Sequence, residues 1–378
     1  MRIVHVTTVH PSDDPRIFKK ECITLLKENY NVHVVCSQLP NFADQRLCYH
    51  IIGKYKSRIG RILIGVPKAF ILSLRSGAKI VHFHDLELLP LAPLWRIFGK
   101  RVVYDIHEDY VTSIKQKNYL PAYVRLLLAT LLGALEQALA ICCWKVIAEK
   151  YYIERFPDGV AVLNYPILEK ENSYSSSITV HLSSDYHWCL YTGGISSARG
   201  AFNHVQMLKY NSEIGLCMIG LCEAHMHDSL YAKIDKLGVE RKRLVIIGKD
   251  RYVPKEEMDL IVQTNKWLAG LAVFPESEHY TRKELTKLFE YMHDGIPIIA
   301  SNFPTWVELI EECKSGLNVS PDKVDETTRS INWLIQNPEE ARIMGENGNR
   351  MVRQKYNWKS EGEKLITLYK KILSDTKN

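Results

Sequence analysis

The sequence predicts an α/β protein of two domains, each a parallel sheet wound on both faces by helices. Three observations carry this. The chain has 378 residues, more than a single hydrophobic core organises well. Short apolar, β-branched runs alternate with amphipathic helical stretches in both halves. A Ser-rich tract with Asn and Pro at its start, Asn164–Asp185, interrupts the alternation once and reads as a linker. The expected boundaries are a first domain over 1–165, a linker over 166–186, a second domain over 187–356 and a terminal helical segment over 357–378.

In the first half, Ile3–Thr7 reads as a buried strand. Pro15–Lys27 reads as a helix with Ile17, Cys22, Leu25 and Leu26 on its apolar side; Asp13 or Asp14 would cap it, with Pro15 in its first turn. Further strands are expected at Val32–Cys36, Lys79–Phe83, Val102–Asp105 and Lys145–Ala148. Ligands of such sheets bind beyond the carboxyl ends of the strands. There the sequence is polar: His10 to Arg16, His84-Asp85 and His107-Glu108-Asp109.

In the second half, the pattern gives strand Trp188–Tyr191, helix Ala201–Tyr210, strand Gly215–Ile219, helix Ala224–Leu237 and strand Arg243–Ile247. Helix Lys255–Gln263 and strand Leu268–Phe274 follow. The run Leu285–Ser301 is the most informative: Leu285, Leu288, Phe289 and Met292 lie at helical spacing, Gly295 stops the helix, and Ile296–Ala300 is strand-like. Glu290 sits inside this apolar helix, where a carboxylate needs a partner. Helices starting at Asn337-Pro338 and spanning Lys359–Leu373 close the chain.

Composition limits the partners. The apolar share of 46% and charged share of 24% are ordinary for a globular protein. Residues 1–165 hold 22 Lys+Arg against 14 Asp+Glu, and the rest 27 against 29. Lys54, Lys56, Arg58, Arg61 and Lys68 flank the apolar run Ile62–Val66, a pattern that suits a helix on an anionic membrane surface or a packed helix with a solvated basic edge. No nucleic-acid-binding signature accompanies the charge. The nine cysteines form no CxxC and no zinc spacing, and the adjacent Cys142-Cys143 sit in an apolar stretch, so buried thiols in a reducing compartment are expected. The first residues run into a strand without the pattern of a secretory leader. The most apolar stretch, Leu126–Leu135, is short of the roughly 20 residues needed to span a bilayer. The expectation is a cytoplasmic protein, at most peripheral to the inner face of the cell membrane.

Two segments carry chemistry. In Tyr191–Gly200, YTGGISSARG, Gly193-Gly194 ends a strand and Arg199-Gly200 opens a helix. Such a turn exposes backbone N–H groups, and Arg199 adds a planar cation suited to a diphosphate. A tight turn with a surface arginine is the alternative. In the second segment, the N–H groups of Leu285, Thr286 and Lys287 lie in the first turn of a helix, where an anion is favoured.

TKLFEYM at 286–292, together with the Gly turn, HPSDDPRIFKKE at 10–21, HFHDLELLPLA at 82–92 and YDIHEDY at 104–110, resembles family 4 glycosyltransferases of the GT-B fold, in which two Rossmann-like domains face across a cleft. The resemblance touches both expected domains. It implies a nucleoside diphosphate sugar donor, UDP favoured over GDP, bound by Gly193, Gly194, Arg199, Leu285, Thr286, Lys287 and Glu290, the last on the ribose. It places Arg199 and His107 at the reacting centre and His10, Asp14, Arg16, His84, Asp85 and Glu108 on the acceptor side of the cleft. It also implies a last helix that crosses back to the first domain.

Two positions depart from the family pattern. Gly194 stands where an arginine is usual, and Arg282 stands where the first Glu of a Glu-x7-Glu motif is usual; Glu278 and Glu284 are candidates to replace it. No DxD triplet occurs, so the diphosphate charge would fall to Arg199, Lys287 and helix N–H groups, with no metal and no resident cofactor. The implied reaction is metal-independent transfer with retention of configuration to a hydroxyl of a glycan or lipid-linked glycan in surface polysaccharide assembly. A nucleotide-sugar epimerase and a non-catalytic partner of another transferase remain the alternatives.

Overall fold

The computed structural model describes residues 1–12, 14–40, 43–107, 109–115, 121–168 and 180–375. The chain divides into two units, residues 1–164 with 358–378, and residues 165–357.

The first unit is built on a seven-stranded parallel sheet. Its strands are β1 (Arg2–Val6), β2 (Asn31–Cys36), β3 (Cys48–Ile51), β4 (Ile80–Phe83), β5 (Arg101–Ile106), β6 (Trp144–Ile147) and β7 (Val160–Ala161), in the order β3-β2-β1-β4-β5-β6-β7. The inner strands are continuous apolar runs because helices cover both of their faces. Order reverses between β1 and β4, so the loops after these strands open a crevice at their carboxyl ends. His10, His84 and Asp85 lie in those loops. The edge strands β3 and β7 were not expected from sequence. Both are short and only partly buried, so neither carries a strong periodic signal.

Helix Pro15–Lys27 follows β1. Asp14 caps it by accepting the N–H of Ile17 at 3.0 Å; its first eight residues are wound as π-helix before the α-helical turn Ile23–Lys27. Asp13 lies outside the described residues. The terminal helix Trp358–Ser374 belongs to this unit. Trp358 donates its indole N–H to Thr24 Oγ1 at 2.8 Å, Glu361 accepts the N–H of Leu163 at 2.8 Å, and the Tyr369 hydroxyl meets His82 Nδ1 at 2.7 Å. Each of these bonds is largely buried, where an unmade partner would be costly.

The second unit has a six-stranded parallel sheet: β8 (His187–Thr192), β9 (Ile214–Cys222), β10 (Leu244–Lys249), β11 (Ala269–Ala272), β12 (Ile298–Ser301) and β13 (Gly316–Val319), ordered β10-β9-β8-β11-β12-β13. Its reversal lies between β8 and β11. Helix Thr286–His293 precedes β12 and buries Leu288, Phe289 and Met292 as its spacing predicted. Helices Pro304–Cys313 and Val324–Gln336, with β13 between them, were not expected; β13 opens on Gly316 and has no apolar run long enough to announce a strand. Of the expected linker, residues 169–179 lie outside the described residues. All nine cysteines are free thiols; Cys143 is buried and Cys142 half-buried, with their sulfurs 4.0 Å apart.

The Tyr369→Phe variant removes the hydroxyl that meets buried His82. It should lower unfolding stability by about 1–2 kcal/mol in denaturant titration. An unchanged midpoint at unchanged slope would mean that the bond adds nothing net.

Candidate active site

Each unit presents one polar cluster at the carboxyl ends of its strands. In the second unit β8 ends at Thr192, and Gly193 continues with φ +101°. Gly200, at φ +74°, turns the chain into helix Ala201–Gln206. A Cβ at Gly200 would lie 1.9 Å from the Val273 carbonyl oxygen, so only glycine lets this turn seat against the end of β11. Tyr191 donates its hydroxyl to the Gly194 carbonyl at 2.8 Å and braces the turn from below.

Two cations converge on this turn. A Cβ built on Gly193 would lie 3.7 Å from a terminal nitrogen of Arg199 and 3.7 Å from Lys287 Nζ. At Gly194 the same construction meets Arg199 at 3.0 Å. Burial works against the Arg199 charge, but the nearby Tyr191 and Tyr280 hydroxyls hold its pKa above the usual arginine value. Lys287 is 7% exposed, and its ammonium makes no hydrogen bond among the described residues. It rests 3.5 Å over the Tyr191 ring and 5.0 Å from the Phe274 ring. Burial, and then the nearby Arg199 charge, push its pKa well below the usual lysine value. A buried lysine that makes no hydrogen bond, beside Arg199 and on the first turn of a helix, is a site prepared for an anion.

Leu285 is the N-cap residue of that helix and Thr286 its first; no side chain caps it among the described residues. Glu290 lies one turn further on, with its side chain 25% exposed, and pairs with Lys255 Nζ at 3.5 Å. This lysine is the partner that the sequence left unnamed. Arg282 ends the short helix Glu278–Thr281, and Glu284 accepts from the Tyr165 hydroxyl at 3.3 Å. A cavity of about 780 Å³ near His187, Pro297, Arg342 and Arg350 lies at the opposite, amino ends of the strands, away from these residues.

The first unit's cluster is organised by Asp105, at the end of β5. This fully buried carboxylate accepts from Arg16 Nε at 3.0 Å and Arg16 Nη2 at 2.8 Å, and from Nδ1 of both His84 and His107 at 3.0 Å. Burial opposes its charge. The Arg16 guanidinium and the histidine donors outweigh that and hold its pKa well below the usual carboxylate value. The neighbouring Glu21 is pushed the other way, by burial and then by the Asp105 charge. His84 takes a hydrogen bond at its second nitrogen from His5 Nδ1, 3.0 Å away. Burial drops the pKa of His84 from an ordinary 6.5 to about 3.

His107 Nε2 lies 2.7 Å from His10 Nε2, so one hydrogen is shared between the two rings. His10 in turn lies 3.3 Å from Asp85 and 3.7 Å from Asp14. Burial works against the Asp14 charge, but its bonds to His10 and to the Ile17 N–H bring its pKa down to about 2. Asp85 also accepts the Thr8 N–H at 2.5 Å, which fixes the loop after β1.

His10, Asp14 and His107 thus form one largely buried cluster over the fully buried Asp85. Arg16 and His84 do not join it at the surface, as had been expected. Arg16 is only 5% exposed and turns inward, because the buried Asp105 takes its guanidinium; His84 is enclosed by Asp105 and His5. Glu108 lies outside the described residues. Asp105, Glu21, His5, His82 and Lys255 were not singled out from sequence; a lone Asp in an apolar strand run was the available signal for the first.

Glu21, His82, His84 and Asp105 are ligand types that a metal takes, and one atom of each lies within 4.8 Å of the others. The bonding of Asp105 and His84 is already committed, whereas both Glu21 carboxyl oxygens and His82 Nε2 make no hydrogen bond among the described residues. Arg16 Nε sits 3.0 Å from Asp105 and 3.2 Å from Glu21, and both ring nitrogens of His84 are engaged.

The Asp105→Asn variant leaves Arg16 buried without its counter-ion. A loss of about 3–5 kcal/mol in unfolding stability is expected; a loss under about 1 kcal/mol would show that water or another group replaces the carboxylate. The pH dependence has a defined sign. Between its ordinary 6.5 and about 3, His84 binds a proton when unfolded and not when folded, so stability should fall as pH drops through this window. A flat unfolding midpoint from pH 7 to pH 4.5 would contradict the neutral buried histidine.

Residues 189–351 match the model of the glycosyl transferases group 1. A mannosyltransferase of Mycolicibacterium hassiacum, the MMP alpha-(1->4)-mannosyltransferase, is 30% identical over 86 residues, covering 22% of this chain. The matched stretch spans about a fifth of that relative's length, 21%. Sucrose-phosphate synthase from Thermosynechococcus elongatus superposes with a TM-score of 0.74 at 14% identity, over 99% of each chain. The Anabaena protein HepE in complex with UDP superposes with a TM-score of 0.73 at 11% identity, over 98% of this chain and 100% of its own. The second unit thus matches the glycosyl transferases group 1 over residues 189–351, and the chain's two parallel sheets have the GT-B fold.

Proposed function

We propose that this protein transfers a sugar, with retention of configuration, from a nucleoside diphosphate sugar to a hydroxyl of a glycan or lipid-linked glycan. The observation that carries the reading is Lys287. Its buried, unpaired ammonium lies beside Arg199 and Gly193 in the unit that matches the glycosyl transferases. A desolvated cation costs stability until an anion arrives, and its field is strongest where water is excluded. Lys287 would supply the second diphosphate cation, in place of the arginine that Gly194 replaces. The two cations and the first-turn N–H groups of helix Thr286–His293 would stabilise charge developing on the leaving diphosphate, a role that requires no metal.

In this reading Glu290, oriented by Lys255, holds the donor ribose. The leaving diphosphate helps to deprotonate the acceptor hydroxyl on the same face. In the first unit, Asp105 fixes the ring of His107 through Nδ1, and His10, Asp14 and Asp85 shape the acceptor side. UDP is favoured over GDP, and the UDP complex of the similarly folded Anabaena protein supports that choice. Assembly of a cell-surface polysaccharide is the proposed setting.

A thermal-shift screen against UDP-, GDP- and ADP-sugars tests the donor site. UDP-sugars should stabilise the protein, by about 2.7 kcal/mol at a hundredfold excess over Kd. Lys287→Met should melt higher than wild type without ligand and lose most of the UDP-dependent shift. An undiminished shift in that variant would remove Lys287 from the site. Arg199→Ala and Glu290→Ala should each lower transfer sharply in a folded protein, and transfer should survive EDTA. Donor turnover without any acceptor would favour an epimerase instead.

A further inference from the structure

The strongest unexplained surface is apolar and lies on the first unit. Three helical segments expose large hydrophobic side chains: Arg58–Arg75, Leu86–Ile97 and Ala122–Ala140. They are neighbours. Arg61 Nε pairs with Glu87 at 2.8 Å, and the Phe70 ring lies 5.7 Å from Trp95 and 5.9 Å from Phe98. Helix Ala122–Ala140 packs on both parts of the middle segment. Leu63 is 69% exposed, Ile97 78%, and Leu127 and Leu131 58% each; Ile64 and Phe98 join them. A soluble surface rarely leaves so many large apolar side chains together in water.

Helix Ala122–Ala140 is long and apolar enough to cross a membrane by composition, with mean hydropathy 1.3 over its window. Its attachments give it another role. Glu136 is buried and accepts from the Tyr104 hydroxyl at 2.9 Å and from Arg155, while Ala129 and Ala140 are buried in the unit. The helix is fastened along one side to the neighbouring helices and to Tyr104 and shows its other side to solvent, so it lies on a surface and does not pass through one.

The charge of this face identifies its partner. From Lys54 to Arg75 the chain carries six basic residues and no acidic one. Lys54, Lys56 and Arg58 are exposed beside Ile59 and Leu63. Two copies pressed together through this face would set like charges against each other. An anionic lipid headgroup layer meets the basic rim, and its acyl boundary takes the leucines and isoleucines. We propose that this three-helix face docks the protein on the surface of an anionic lipid bilayer. The inference does not rest on the donor-site reading.

Co-sedimentation of the full chain with vesicles tests it. One set is pure phosphatidylcholine; the other contains roughly one-third phosphatidylglycerol. The protein should sediment with the anionic vesicles and be released as salt rises. Two variants separate the contributions: Leu63→Glu with Leu127→Glu, and Lys54→Ser with Lys56→Ser and Arg58→Ser. Each should cut vesicle affinity by about tenfold or more, with an unchanged thermal melt and an unchanged nucleotide-dependent shift. Failure of the folded wild-type protein to sediment with anionic vesicles would overturn the proposal. So would a concentration-dependent dimer that the Glu variants abolish while vesicle binding stays intact.

Discussion

The first unit depends on one buried carboxylate. Asp105 has no access to water, yet it is held ionised, because a guanidinium and two imidazoles donate to it within about 3 Å. The consequences spread outward through four elements. Arg16 ties the helix after β1 to the end of β5, and its third contact, to the Val162 carbonyl at 2.9 Å, reaches the segment after β7. His84 ties in the end of β4. His107 is set with its Nε2 toward His10, so the geometry of the cluster of His10, Asp14, Asp85 and His107 follows from a charge that lies beneath it. The histidines behind it, His5 and His82, stay neutral because burial penalises their charged forms.

The second unit solves a different problem. The proposed donor site needs cations where a diphosphate would sit, and the fold places one of them in a dry setting. Lys287 is held over Tyr191 and Phe274, aromatic faces that attract a cation weakly compared with a carboxylate. A carboxylate there would stabilise the free protein and compete with the ligand. Glu290, one turn along the same helix, is kept occupied by Lys255. The turn itself depends on tight backbone packing. A Cβ at Gly220 would lie 2.1 Å from the Gly193 carbonyl oxygen, so β9 also needs glycine where it passes the turn.

Much of the α/β architecture was legible because parallel strands buried on both faces must be apolar along their length. β1, β2, β4, β5 and β6 in the first unit announced themselves this way. β3 and β7 did not, since edge strands with partly exposed residues lose that signal. The same reason hid β13. Among site residues, Gly193, Gly194 and Arg199 were readable because a glycine turn between strand and helix is local in sequence. Arg16 was named for the right segment and given the wrong direction, because its partner is 89 residues away.

The sequence by itself determined the two-sheet α/β plan, the glycine turn at 193–200, the amphipathic helix that carries Lys287 and Glu290, and a basic first half. These features are periodic or local, so a single strand of text contains them. Only the tertiary structure decided which charges meet. It brought Asp105 under Arg16, His84 and His107, set Lys287 without a hydrogen bond beside Arg199, and gave Glu290 its lysine. It also left the helices of 58–75 and 122–140 with an apolar side uncovered. Partnership between distant side chains depends on where separate strands end in space, and no spacing along the chain records that.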